Sequence, residues 1–198
     1  MFFGEGVVSD AALGELAAGL KEHALDIDWA VATILRSRLF FSTANLRTRI
    51  VGPAEYVVGA LHALGICQPP PSTLLLADWV ARMGQDLFNP PNVGGWLEGR
   101  AWLTSRGILA RANFAAPLVE GRLWTSANRP DLTNSLPKEY RNGDLAATVR
   151  ALTLLFWGEM QTYAVEDCLA AIKDIDADTE RLSAAVYWLL THPESQLG

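Results

Sequence analysis

Few side chains in this chain of 198 residues stand where their type and spacing could do chemistry. His23, His62 and His192 are far apart, and none falls in a His-Glu-x-x-His or a Cys/His cluster of metal-ligand spacing. No metal or cofactor site is therefore expected. No serine sits in a Gly-x-Ser-x-Gly elbow, since Ser105 in TSRG has the wrong flanks, and neither cysteine has an adjacent histidine. No glycine-rich loop carries a phosphate-binding lysine, and the run GGWLEG has no strand before it. What remains is carboxylates, arginines and indoles. Glu55 falls in the first turn of a helix, where the dipole favours a carboxylate. Arg111 lies on the inner or boundary face of another helix. The sequence predicts that Glu55 or Asp86 pairs with Arg111 or Arg106, as a structural ion pair before an acid–base one.

The indoles point to the segment Phe88 to Trp102, FNPPNVGGWLEGRAW. Pro90 and Pro91 fix two φ angles and leave Asn89 extended. Gly94 and Gly95 allow a sharp turn. Trp96 and Trp102 each bring about 150–250 Å² of area that could pin the loop to a helical body or form a ligand wall. The candidate binding residues are Trp96, Trp102, Arg111, Glu55, Asn92 and Gln85; catalytic residues are not assigned.

The elements that must position these residues are helical. Leu13, Leu16, Ala17 and Leu20 recur at helix spacing after Ser9 or Asp10, and Ile27, Val31, Ile34 and Leu35 repeat the pattern after Asp26 or Asp28. Pro53 opens a third helix with Val57, Ala60, Leu61 and Leu64 inward, closed by Gly65 and Ile66 in a Schellman ending. Three prolines after Gln68 exclude helix. Ser72 or Thr73 caps a fourth, with Leu75, Leu76, Trp79, Val80 and Met83 on its face. A fifth runs from about Thr104 to Ala115 on Ile108, Leu109, Ala112 and Phe114. Residues from Gly121 to Gly143 show no period and predict a long surface loop. Asp144 starts a sixth helix that ends at Gly158. Cys168, Leu169 and Ile172 mark a seventh. Leu182, Ala185, Val186, Leu189 and Leu190 mark an eighth, which stops before Pro193. The expected fold is all-α, an orthogonal or bundle-like array of about eight helices in a single domain spanning 1–198, with a rigid Pro/Gly/Trp loop between helices four and five.

Composition narrows the partners. Half of the residues are hydrophobic, enough for a sizeable core. A net charge of −6 with no basic stripe argues against a general nucleic-acid binder. No apolar run approaches the ~20 residues of a membrane span, and the start MFFGEGVVSD has no signal-peptide pattern. Compartment is not legible. Cys67 and Cys168 read as buried thiols, with a single bridge conceivable only in an exported protein.

The run GQDLFNPPNVGGWLEGRAWLTSRGILARANF resembles the signature of the bacterial domain-of-unknown-function 1800 family, on Gly84, Gln85, Pro90, Pro91, Val93, Gly95, Trp96, Trp102, Arg111 and Phe114. SRLFFSTANLRTRIVGPAEYVVGALHALG is similar to the family's Ser-x-x-Phe-Phe and Pro-x-Glu segment, with Val51 and Gly52 where the family usually has a lysine. YWLLTHPESQ resembles its closing Pro-Glu motif. The resemblance runs from about Ile27 to the end. Because members are usually more than twice this length, it implies the C-terminal portion of a longer architecture. Members are often predicted to be exported and are often encoded beside a second uncharacterised protein. No activity comes with the family. The functional expectation is a scaffold or protein-interaction module working with an absent N-terminal half or a co-encoded partner. The alternatives are a hydrolase-like fragment acting on an extracellular polymer, and a carbohydrate- or peptide-binding module using Trp96 and Trp102, with Trp124 as a further indole.

Overall fold

A computed structural model describes residues 2–4, 6–125, 129–132, 144–158 and 161–198. It is all-α: eight α-helices and no strand occur among the described residues. They are α1 (Asp10–Glu22), α2 (Ile27–Arg36), α3 (Pro53–Ala63), α4 (Thr73–Arg82), α5 (Ser105–Val119), α6 (Leu145–Trp157), α7 (Thr162–Ile172) and α8 (Asp178–Thr191). Short 3₁₀ turns cover Gly99–Trp102 and Pro193–Gln196. Of the loop expected from Gly121 to Gly143, residues 126–128 and 133–143 lie outside the described residues. The chain forms two compact units, Met1–Ile50 with Leu197–Gly198, and Val51–Gln196.

In the smaller unit, Ser9 caps α1 by accepting from the Ala12 N–H, and Asp26 Oδ1 caps α2 by accepting from the N–H groups of Asp28 and Trp29. The two helices pack on each other through Gly19, whose bare Cα lets the Trp29 ring lie against it; a Cβ there would sit 2.4 Å from that ring. His23 stacks on the other part of this contact, 4.2 Å from the Trp29 ring. The expected inward stripe is not enclosed. No residue of α1 is buried and α2 buries only Ala30, so Leu13, Ile27 and Leu35 remain exposed. Arg49 and Gly198 exchange backbone hydrogen bonds at 3.2 and 2.8 Å beside an isolated antiparallel bridge of Ile50 with Leu197.

The larger unit carries the core. α3 begins at Pro53 and ends in a full Schellman motif: Ile66 N–H donates to Leu61 O at 3.1 Å, Gly65 N–H to His62 O at 3.0 Å, and Gly65 has φ +67°. Ile66 is fully buried. Ser72, Thr104 and Asp144 cap α4, α5 and α6 through their side-chain oxygens, and Gly158 closes α6 in the left-handed region. α8 packs against α5, α6 and α7, α3 against α4 and α6, and α4 against α5. One cluster unites Val57 and Leu61 of α3, Val80 of α4, Phe114 and Leu118 of α5, Leu152 of α6 and Leu189 of α8. A second unites Val149, Val165, Cys168, Ile172 and Ala185. Both cysteines are free thiols, Cys168 buried and Cys67 partly so.

α5 differs from expectation in face and length. Ile108 and Leu109 point to solvent, and the buried face is Gly107, Ala110, Arg111, Phe114, Ala115, Pro117 and Leu118. Small residues let α5 approach its neighbours closely, and a Cβ at Gly107 would lie 2.7 Å from Trp102 O. A stripe chosen by hydrophobicity alone misses such a face. The helix also continues through Pro117 to Val119.

Candidate functional site

The candidate residues gather where α3 begins, α4 ends and α5 turns its middle inward, all within the larger unit. Gly52 N–H donates to Glu55 Oε2 at 3.4 Å, so the first-turn carboxylate closes back on its own helix start. Ala54 N–H, another donor left over at that start, gives its hydrogen bond to Gln85 Oε1 at 2.9 Å. Gln85 follows α4, so its side chain ties the end of one helix to the beginning of the other. Trp102 covers this joint. Its ring is 9% exposed and lies against the backbone of Gly52 and Gly84, where an added Cβ would meet it at 3.9 Å.

Arg111 is 1% exposed. One terminal nitrogen donates to Val51 O at 2.7 Å and the other to Gln196 Oε1 at 2.9 Å. Val51 N–H in turn donates to Gln196 O at 2.9 Å. Arg111 thus clasps the first and last residues of the larger unit. Its guanidinium lies over the Tyr56 ring, 5.1 Å from the centroid, and its Nε is buried without a hydrogen-bond partner. Burial lowers the pKa of this guanidinium, while Tyr56 and then Glu55 act in the opposite direction. The expected ion pair therefore takes another form: Glu55 acts on Arg111 through space, and the direct acceptors are an amide oxygen and a carbonyl. Asp86 accepts from Asn89 at 3.0 Å instead, and Arg106 is exposed. Tyr56 donates its hydroxyl to Leu190 O at 2.8 Å, and burial raises its pKa well above the ordinary phenol value, with Arg111 opposing. The enclosed Tyr56–Arg111 pair holds the helices together and offers no open proton-transfer site.

Between these anchors the chain leaves the body. Phe88 has φ +65°, a left-handed conformation that is costly for a large side chain, and is 98% exposed. Leu87, Pro90, Pro91, Asn92, Val93 and Leu97 are exposed as well. Asn92 Oδ1 accepts from Gly94 N–H at 2.8 Å and Asn92 O from Gly95 N–H at 3.1 Å, an Asx turn that needs Gly95 at φ +89°. Trp96 is half-buried. Of the loop's two indoles Trp102 is buried and Trp96 partly so, while Trp124 is buried elsewhere with its N–H on Pro69 O at 2.8 Å.

The structure thus brings Trp102, Arg111, Glu55 and Gln85 together and leaves Asn92 and Trp96 on the exposed loop. Tyr56 and Gln196 were missed by residue-level reading. Gln196 had a signal in its place within YWLLTHPESQ, and Tyr56 follows Glu55 directly in PAEYVV. Elsewhere a cleft of about 260 Å³ is lined by Val119, Arg129, Asp131, Thr179 and Ser183 among others. Among the described residues no three His, Cys, Asp or Glu side chains gather as a metal site, and no helix is long and apolar enough to cross a membrane.

No curated protein and no solved structure matches the chain. The family described as "Protein of unknown function (DUF1800)" matches residues 1–197, so the likeness reaches back past Ile27 to include α1. The buried joint of Gln85, Trp102 and Arg111 and the proline loop beside it are thus features of a chain that belongs to the DUF1800 family.

Proposed function

We propose that this chain is a helical protein-interaction module whose contact surface is the loop from Leu87 to Leu97. The observation that carries the reading is the loop's composition set against its exposure. No charged side chain occurs from Leu87 to Leu97, yet Phe88, Val93 and Leu97 are open to solvent. Several large apolar side chains exposed on one short uncharged loop favour a contact role. The backbone is preset by Pro90, Pro91 and the Asx turn at Asn92, which lowers the ordering cost of binding. Phe88 keeps a left-handed backbone that costs about 1–2 kcal/mol while its ring contributes nothing to the core. Strain held where folding gains nothing supports a role outside the fold. A partner protein, co-encoded or supplied by a further part of the same polypeptide, supplies the apolar groove.

A second reading, a carbohydrate- or peptide-binding module, draws on Trp96, whose ring keeps some exposure. With Trp102 and Trp124 buried, that reading depends on Trp96 alone.

The test is site-specific photocrosslinking in cells that make the protein natively. A benzoylphenylalanine at Phe88 is expected to trap a discrete protein, confirmed with that protein in purified form. The same probe at Leu109, which is 61% exposed on α5, is the control. Identical patterns at the two positions would overturn the proposal. A saturable change in tryptophan fluorescence on titration with soluble oligosaccharides or peptides, lost in Trp96→Phe and without crosslinking at Phe88, would favour the second reading.

A further inference from the structure

We draw no further inference here: the strongest candidate, the exposed apolar face of the α1–α2 hairpin with Leu13, Ile27 and Leu35 open to solvent, carries nothing because nothing in the structure shows what covers it.

Discussion

Replacing Arg111 by methionine keeps most of the side-chain volume and removes the charge. In the folded protein this deletes two charge-assisted hydrogen bonds, to Val51 O at 2.7 Å and Gln196 Oε1 at 2.9 Å, and the contact over Tyr56. Each such bond is worth about 1.5–3 kcal/mol, and a desolvated cation–π contact about 2 kcal/mol. Methionine also relieves real costs. The guanidinium no longer has to be dehydrated, and the partnerless buried Nε disappears. Those savings cancel a large part of the loss, because exchanging a buried charge for a well-packed apolar group is often close to neutral. What is not recovered is the Val51 carbonyl, left without the donor that Arg111 supplied. The expected net cost of Arg111→Met is about 2 kcal/mol. Arg111→Ala adds the cavity and costs about 4 kcal/mol. Urea unfolding measures both, with the slope checked for constancy so that the midpoint reports stability. Gln196→Ala alone should cost about 1 kcal/mol, and in the double variant with Arg111→Met the two losses should fall short of additive by a similar amount. If Arg111→Met matches or exceeds the wild type, the clasp does not stabilise the unit. Strict additivity with Gln196→Ala would show that the bond between them carries no energy.

Three further outcomes are expected. Trp102→Ala should cost about 3–5 kcal/mol and Trp96→Ala about 1 kcal/mol, because only the first ring is buried; equal shifts in Tm would contradict the placement of the two indoles. Burial raises the Cys168 thiol pKa from 9.0 to about 12, so the folded chain keeps a proton that the unfolded chain loses. Stability from this group is complete below pH 9.0 and declines above it, by about 1.4 kcal/mol per pH unit, and Cys168→Ala should flatten the alkaline limb of the stability–pH curve by that slope. Phe88→Asn, which places a residue tolerant of φ +65° at that position, should raise stability by about 0.5–1 kcal/mol while abolishing partner capture. A destabilised Phe88→Asn variant would mean that the ring serves the fold after all.

Much of the helix set is legible because its boundaries are local chemistry. Pro53, Gly65 with Ile66, Asp144 and Gly158 each act through a hydrogen bond or a φ angle that a handful of neighbouring residues determines. Which face a helix buries is not local. α1 has a regular leucine stripe of which no residue is buried, so its periodicity specifies a helix and leaves its packing unspecified. α5 errs the other way. Its buried face includes Gly107, Ala110, Arg111 and Ala115, and closeness of approach, which depends on the neighbouring helices, selected it over the more hydrophobic Ile108 and Leu109. The site was legible to the same degree. Arg111 and Gln85 stood out in the sequence as candidates. Their partners, Gln196 eighty-five positions away and Ala54 thirty-one positions away, did not, because nothing short of the folded chain brings them within 3 Å.

The ten positions shared with the family signature divide by what folding requires of them. Gln85 caps α3, Trp102 fills the joint between α3 and α4, Arg111 clasps Val51 to Gln196, and Phe114 is fully buried. Each of these has a structural reason to be the residue it is. Pro90 and Pro91 are exposed and act only through the backbone they fix, and Val93 is exposed and buries nothing. Apolar side chains in water add nothing to stability and raise the risk of association. A loop held in shape only by backbone devices could keep its geometry with Ser, Asn or Asp at Val93, and a polar residue at position 88 would bear the left-handed backbone better than Phe88 does. The buried positions therefore explain how the loop is held, while Phe88, Val93 and Leu97 bury nothing within the described fold.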